Sequence, residues 1–169
     1  IPGGRVVNEG DLVSIDCGAI VDGWHGDAAI SVIASSEPLP AIQQLSDVTR
    51  ASLDAGIQAA VAGNHMGDIG SAIEKVIRSS GDYGIVEDYV GHGIGTEMHM
   101  YPPVPNYGHA GQGLELKVGM VLALEPMVTI GSPEVLTLSD DWTVVTTDGN
   151  WASHWEHTVA ITESGPQIL

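Results

Sequence analysis

The sequence predicts an α+β fold, in which an antiparallel sheet carries helices on one face. Asp22-Gly23 and Asp148-Gly149 each separate two segments rich in β-branched and aromatic residues, which is typical of β-hairpins with type I′ turns. Between these hairpins, residues 41–62 and 68–79 carry apolar side chains at helical spacing. A chain of 169 residues has the length of one domain, so we expect a single domain over residues 1–169.

The first hairpin is predicted to bring two aspartates together. Its strands fall at residues 12–20 and 26–34, and a two-residue turn then places Asp16 and Asp27 diagonally on one face. Two carboxylates between apolar strands repel each other, and their burial without a partner is costly. A bound metal ion would remove that conflict. The alternative is a face in contact with water, where the aspartates are solvated.

Each predicted helix has one apolar stripe, which we interpret as core. Gly63-Asn64 is expected to end the first helix, and Asp68 to be the N-cap of the second. Neither stripe implies a cofactor. The stripes consist of Ile42, Leu45, Thr49, Leu53, Ile57, Ala60 and Val61 in the first helix and Ile69, Ile73, Val76 and Ile77 in the second.

A glycine-rich segment, Gly91 to His99, contains two histidines and is hard to explain by packing. Alternate glycines let the backbone approach a neighbouring group closely, so we predict a loop that forms one wall of a site and contains His92. A short strand over residues 85–90 should lead into it, and a turn-rich loop over residues 101–113 should follow it. The alternative is a flexible surface loop with two incidental imidazoles.

Two glutamates lie where strands would favour apolar residues. Glu125, followed by Pro126, interrupts an apolar strand over residues 120–130. Glu156 lies in the second strand of the last predicted hairpin, which pairs residues 142–147 with 151–162. For Glu125, the alternative is an edge position facing water, because proline is common at edges and bulges.

The composition excludes several classes of partner. Five basic residues stand against 22 acidic ones, giving a formal charge of -17, so the chain should repel nucleic acid and anionic lipid and favour cations and cationic peptides. Most of these carboxylates are expected to serve solubility alone. The sequence has no apolar run of about 20 residues, and its single cysteine, Cys17, agrees with a reducing compartment. We expect a cytoplasmic protein that does not bind membranes.

Five residues are candidate metal ligands. Four carboxylates and one imidazole form an oxygen-rich set, which suits a pair of divalent ions such as Mn, Fe, Co or Zn bridged by carboxylates. A structural zinc site would instead favour cysteines. The metal identity stays open at this point. The candidates are Asp16, Asp27, His92, Glu125 and Glu156.

At these positions the chain resembles the type I methionine aminopeptidases, which are metallopeptidases of family M24 with the pita-bread fold. The resemblance covers essentially the whole chain, and the motifs are specific when taken together. It therefore implies a pita-bread fold and removal of the N-terminal methionine from nascent proteins. The matching motifs are Ser14-Ile15-Asp16, His25-Gly26-Asp27, Gly91-His92-Gly93-Ile94-Gly95, Glu125-Pro126-Met127 and Glu156-His157-Thr158, with family-like segments also at Ile1-Pro2 and Asp141-Trp142-Thr143.

The resemblance also implies a role for each ligand. Asp27 and Glu156 would bridge two metals, Asp16 would complete the second site, and His92 with Glu125 would complete the first. Glu125 would also shuttle a proton. A water or hydroxide between the ions would attack the substrate carbonyl.

Further residues are implied on the substrate side. His99 matches the histidine that contacts the scissile carbonyl, and Tyr89, Met98 and Trp142 match positions that line the methionine pocket. Without the family, Tyr89 and Trp142 would be interpreted as core aromatics. The expected partner is the N-terminal peptide of a nascent protein, with transient contact to the ribosome, and the expected state is a monomer. The other histidines are expected at the surface or behind the ligands: His25, His65, His109, His154 and His157.

Members of this family carry an N-terminal region before the segment that corresponds to Ile1-Pro2. It contributes strands, helices, part of the methionine pocket and another histidine. We therefore expect residues 1–169 to represent the C-terminal two thirds of a pita-bread metallopeptidase. An incomplete fold of this kind is expected to be a poor aminopeptidase by itself.

Two other functions remain open from the sequence. An Xaa-Pro aminopeptidase or prolidase would use the same set of five metal ligands. Met127 after Glu125-Pro126 favours the methionine enzymes, because the proline-specific relatives usually have glycine there. A non-catalytic pita-bread binding module would usually have lost ligands, whereas all five positions are occupied here.

Overall fold

The computed structural model describes residues 3–169, so the family-like Ile1-Pro2 lies outside the described residues. The described chain forms strands and two helices in an α+β arrangement. In chain order these are β1 (Leu12–Val21), β2 (Trp24–Ile33), α1 (Pro40–Ala59), α2 (Met66–Ser80), β3 (Tyr83–Ile85), β4 (Gly91–Gly93), β5 (Met100–Val104), β6 (Val121–Leu124), β7 (Met127–Ile130), β8 (Val135–Thr137), β9 (Val144–Thr146), β10 (Ala152–His154), β11 (Glu156–Thr162) and β12 (Gly165–Ile168).

The strands form one large antiparallel sheet and two small ones. The large sheet has the order β1-β2-β11-β6-β4-β5, and β12 also pairs with β11. A three-stranded sheet has the order β10-β7-β3, and β8 pairs with β9. Chain neighbours β6 and β7 therefore lie in different sheets, and β11 lies between strands that are distant in sequence.

The first hairpin agrees with the sequence. Asp22 and Gly23 form its turn with φ angles of 51° and 84°, as a type I′ turn requires. Asp16 lies opposite Ala29 and Gly18 lies opposite Asp27, which confirms the predicted diagonal placement of the two aspartates.

The helices pack against each other and against the large sheet. Their stripes are buried as predicted apart from Val61, which is 37% exposed, and Val76, which is only partly buried. The prediction that Asp68 is the N-cap of α2 was wrong, because His65 is the N-cap. The Asp68 carboxylate accepts a hydrogen bond of 2.7 Å from the backbone N–H of His65. Neither helix in residues 3–169 is long and apolar enough to cross a membrane.

One core joins the helices to the centre of the sheet. Leu122 and Leu124 of β6 and Val159 and Ile161 of β11 are buried in the same cluster as the helix stripes. Their side chains face the helices, so the residues between them face the opposite side of the sheet. The helices cover less of the outer hairpin, where Ile15 is 49% exposed.

The glycine-rich segment is partly a strand and not only a loop. Residues Gly91–Gly93 form β4, in which His92 pairs with Ala123 of β6. A Cβ atom at Gly91 would overlap the carbonyl oxygen of Ala123, so the glycine allows the two strands to lie this close. The strand predicted over residues 85–90 was wrong, because pairing with β7 ends at Ile85. Part of the loop predicted over 101–113 belongs to β5.

The last predicted hairpin was also wrong. β9 pairs with β8, β10 pairs with β7, and β11 joins the large sheet. A turn does exist at Asp148-Gly149, but the Asp148 carboxylate accepts hydrogen bonds from the backbone N–H groups of Ser132 and Asn150. The turn is therefore hydrogen-bonded to the connection between β7 and β8, and it does not join two strands that pair with each other.

Candidate metal centre

Strand register places four of the five candidate ligands on one face of the large sheet. Glu156 lies opposite Ala29, and so does Asp16 from the other side, while Asp27 is two residues from Ala29. Since side chains alternate along strands, all three carboxylates project from the same face. His92 lies on that face too, because it pairs with Ala123, which in turn pairs with Thr158, two residues after Glu156.

Trp155 explains why its two neighbours face away from the helices. Its indole N–H donates a hydrogen bond of 3.0 Å to the Ser46 hydroxyl of α1, and the guanidinium of Arg50 lies 5.4 Å from the indole ring centroid. With Trp155 held against α1, His154 and Glu156 point to the opposite side of the extended chain.

The fifth candidate, Glu125, lies at the break between β6 and β7. Pro126 follows it, and the chain passes there from the large sheet to the three-stranded sheet. Its Oε1 is 3.6 Å from His92 Nε2, and its Oε2 is 3.4 Å from His154 Nε2. Its side chain is only 16% exposed, so the alternative of an edge residue facing water was wrong.

The ligand atoms converge into two overlapping groups that share Glu156. The Asp27, His92 and Glu156 ligand atoms lie within 4.8 Å of one another, and so do those of Glu125, His154 and Glu156. The Asp16 carboxylate lies close enough to that of Asp27 for its charge to raise the pKa of Asp27. All five predicted ligands therefore meet at one place, together with His154.

The cluster carries more negative charge than it can stabilise without a cation. Burial raises the pKa of Glu156 to about 9, and the charges of Glu125, Asp27 and Asp16 contribute to that shift. Burial also raises the pKa of Asp27, helped by the Asp16 charge and opposed by His92. In the metal-free chain the site favours the protonated form of Glu156, whereas a divalent ion would stabilise its ionised form.

The residues present fit a metal ion well. Glu156 is 2% exposed, and its Oε1 is buried without a hydrogen-bond partner. His92 Nδ1 lies 3.0 Å from the carbonyl oxygen of Gly93, and because a carbonyl can only accept, Nδ1 carries the proton. Its Nε2 lone pair is thereby left free to bind a metal. Carboxylate oxygens with imidazole nitrogen form a donor set that suits Mn, Fe, Co or Zn.

The residues assigned to the substrate side lie at different distances from this cluster. The His99 ring is exposed and makes an edge-to-face contact with the His92 ring, with centroids 4.4 Å apart. The side chains of Met98 and Asp27 both approach Gly18, where a Cβ atom would overlap the end of Met98. Tyr89 and Trp142 are 41% and 65% exposed, so neither is the core aromatic that the sequence alone suggested.

The model of metallopeptidase family M24 matches residues 1–163. This chain belongs to that family. The methionine aminopeptidase of Clostridium acetobutylicum is 53% identical over 165 residues, a match that covers 98% of this chain and 65% of that protein. The chain therefore spans about 65% of the length of this relative.

Solved structures confirm the predicted fold class. The crystal structure of methionine aminopeptidase from Thermotoga maritima has 43% sequence identity and a TM-score of 0.93, covering 97% of this chain and 65% of that one. Prolidase from Pyrococcus furiosus has a TM-score of 0.74 at 24% identity, covering 98% of this chain and 43% of that one. The second likeness shows the shared pita-bread fold alone.

Two residues of this M24 chain contact the site although the sequence analysis gave them no role there. Thr158 Oγ1 accepts a hydrogen bond of 2.9 Å from the backbone N–H of Asp27 and donates one of 2.8 Å to its carbonyl oxygen. His154 was expected at the surface or behind the ligands, yet one of its ring nitrogens lies within 4.8 Å of carboxylate oxygens of both glutamates. The available signal was spacing, because residues 154, 156 and 158 share one face of an extended chain.

Proposed function

We propose that this chain carries out metal-dependent hydrolysis that removes the N-terminal methionine from nascent proteins and peptides. The observation that supports this most directly is the convergence of three carboxylates and His92 on one face of the sheet, with Glu125 beside them and a buried, unpartnered Glu156 oxygen among them. The relatives named methionine aminopeptidase support the substrate class.

In this proposal Asp27 and Glu156 would each contribute to holding two divalent ions, with Asp16 as a further ligand of one and His92 and Glu125 as further ligands of the other. The support is that Glu156 belongs to both groups of ligand atoms and that Asp16 contacts Asp27. Divalent ions, when bound, activate a water molecule and polarise the substrate carbonyl. Co, Mn, Fe and Zn all suit this donor set.

The surrounding side chains have separate tasks. Glu125 accepts the proton of the attacking water and passes it to the leaving amine, a role favoured by its position at the border of the cluster. His99, exposed beside His92, donates a hydrogen bond to the carbonyl oxygen of the scissile peptide. The strongly acidic site attracts the free amino group of the substrate.

Methionine selectivity is proposed for Met98, Tyr89 and Trp142. Met98 has the best support because its side chain lies beside Gly18 and Asp27, adjacent to the carboxylates. A flexible thioether there can pack against the substrate sulfur. Substrates of this kind emerge from the ribosome, so we propose that the protein acts in the cytoplasm as a monomer and touches the ribosome only transiently.

The test combines metal binding with peptide cleavage. We expect the chain to bind Mn²⁺ or Co²⁺ and then to release methionine from a Met-Ala-Ser peptide, with release abolished by chelation and in Asp27→Asn. The matched control is Asp47→Asn at an exposed position of α1, which should leave metal binding and methionine release unchanged.

Preference for an Ala-Pro peptide over Met-Ala-Ser would instead assign the chain to the proline-specific hydrolases. No uptake of divalent metal in a titration would contradict the proposal and favour a binding module without catalysis.

A further inference from the structure

His154 is an imidazole inside the cluster that the proposed ligand set does not use. Its Nε2 atom is buried and has no hydrogen-bond partner of acceptable geometry among the described residues. The same atom lies 3.4 Å from Glu125 Oε2, and a ring nitrogen of His154 lies within 4.8 Å of carboxylate oxygens of both Glu125 and Glu156. A buried imidazole nitrogen without a partner, facing two carboxylates, needs an explanation.

The distances suit a shared metal ion better than a direct hydrogen bond. His154 Nε2 is 3.4 Å from Glu125 Oε2, whereas N–H···O bonds are about 2.7–3.2 Å long. A first-row divalent ion binds imidazole nitrogen and carboxylate oxygen at roughly 2.0–2.2 Å, so two such ligands at a tetrahedral angle lie about 3.4 Å apart. His92 Nε2 and Glu125 Oε1, 3.6 Å apart, show nearly the same spacing.

The backbone holds His154 firmly at this position. The Ser31 hydroxyl donates to the His154 carbonyl oxygen at 2.7 Å and accepts from its N–H at 3.3 Å. The hydroxyl of Ser14 lies 2.8 Å from that of Ser31 and completes the chain of hydrogen bonds. On the other side, His154 pairs with Met127 of β7. A fixed backbone lowers the entropy cost of placing the imidazole beside an ion.

We propose that His154 is an additional ligand of the metal centre, contributing Nε2 to an ion held by Glu125 and Glu156. This inference rests on the proposed metal site and extends it from one imidazole to two. Imidazole nitrogen favours Zn, Co and Fe, whereas sites made of carboxylates suit Mn. His154 therefore biases the centre toward Zn²⁺ and away from Mn²⁺.

Glutamine at position 154 separates a ligand from a hydrogen-bond donor. A glutamine amide can donate to Glu125 as an imidazole N–H would, but it does not replace imidazole nitrogen as a metal ligand. We expect both His154→Gln and His154→Ala to weaken Zn²⁺ binding by more than about 100-fold, beyond the roughly 10- to 100-fold effect of losing an outer partner of a ligand. Binding of Mn²⁺ should weaken less, so the Zn²⁺/Mn²⁺ affinity ratio should fall at least tenfold.

Co²⁺ absorption spectra of the full chain give a second readout that does not depend on affinity. Replacing an imidazole nitrogen by an oxygen donor weakens the ligand field, so the visible bands of both variants should shift to longer wavelength. His109→Ala, which removes an exposed imidazole, is the matched control and should retain the wild-type spectrum and affinities. Circular dichroism of the metal-free variants verifies that they are folded.

Three outcomes would overturn the inference. If His154→Gln retains the wild-type spectrum and Zn²⁺ affinity while His154→Ala does not, His154 positions Glu125 by a hydrogen bond. Wild-type behaviour in both variants would show that it has neither role. A wild-type chain that binds no metal would contradict the proposed function as well, whereas metal binding without release of methionine would contradict the proposed function alone.

Discussion

The two faces of the large sheet differ in their side chains: one face is apolar and packs against the helices, and the other carries a cluster of carboxylates. On the helix side, Leu122, Leu124, Val159 and Ile161 are at most 1% exposed and belong to one apolar cluster. On the other side, Glu156 of β11 lies beside Asp16 of β1 and Asp27 of β2. The apolar side chains of the helix face are buried against one another, whereas the ligand face leaves a buried carboxylate oxygen of Glu156 without a hydrogen-bond partner.

The difference separates stability from function within one sheet. Apolar packing on the helix face stabilises the fold whether or not an ion is bound. The cluster of carboxylates on the ligand face costs stability in the metal-free chain, because like charges repel and one carboxyl group is buried. We therefore expect substitutions on the ligand face to change metal affinity, and substitutions on the helix face to change stability equally with and without metal.

The largest effect should come from Glu156→Gln, which removes the carboxylate shared by both groups of ligand atoms. Metal affinity should fall by well over about 100-fold, because a ligand is lost rather than an outer partner. The metal-free variant should be at least as stable as the wild type, since a neutral amide relieves the repulsion. Calorimetric titration and thermal unfolding measure the two quantities. Glu97→Gln, at an exposed position, is the control; wild-type metal affinity in Glu156→Gln would contradict the prediction.

Leu124→Ala should lower the stability of the fold and leave metal affinity unchanged. Truncating this fully buried side chain is expected to cost about 2–5 kcal/mol of unfolding free energy through lost burial and the cavity left behind. The loss should be the same in metal-free protein and in metal-saturated protein, because the side chain faces the helices. Urea unfolding under both conditions measures it, with Leu136→Ala on exposed β8 as the control. A loss seen only with metal bound would refute the independence of the two faces.

A smaller effect is expected from pH. The pKa of Glu156 is raised from its ordinary value of 4.5 to about 9, so the folded metal-free chain holds a proton that the unfolded chain releases. The stability that the folded chain gains by holding this proton is fully present below about pH 4.5 and is lost as pH rises through about 9. The thermal midpoint of the metal-free chain should therefore fall over this range, and Glu156→Gln should flatten the slope. A midpoint that rises with pH equally in both proteins would contradict this reasoning.

Local signals predicted the fold well and distant pairing poorly. The Asp22-Gly23 turn fixes its hairpin because a two-residue turn determines the register of the strands it joins. The same dipeptide chemistry at Asp148-Gly149 failed, because its flanking strands pair with β8 and β7 instead of with each other. A turn motif carries no information about partners far away in the sequence.

The candidate site divides in the same way. The nearness of Asp16 and Asp27 follows from one hairpin, whereas the meeting of His92 and Glu156 depends on the order β11-β6-β4, which no periodicity reveals. Family resemblance named those ligands without explaining their placement. For His154, spacing places its side chain on the same side as Glu156, but only the three-dimensional fold brings it beside Glu125, because β10 lies in the three-stranded sheet.

The smallest effect should come from Thr158→Val, which tests how the ligand face is held in shape. The backbone ladder between β2 and β11 stops after Glu156 and His157, and the Thr158 hydroxyl bonds both backbone groups of Asp27 where the next pair would be. Valine keeps the volume but leaves these groups unpaired, which should cost about 1–3 kcal/mol of unfolding free energy. Metal affinity should fall by roughly tenfold, because Asp27 loses its fixed position. Thr158→Ser retains the hydroxyl and should restore affinity; if serine binds metal as weakly as valine does, the methyl packing of Thr158, and not its hydrogen bonds, positions Asp27.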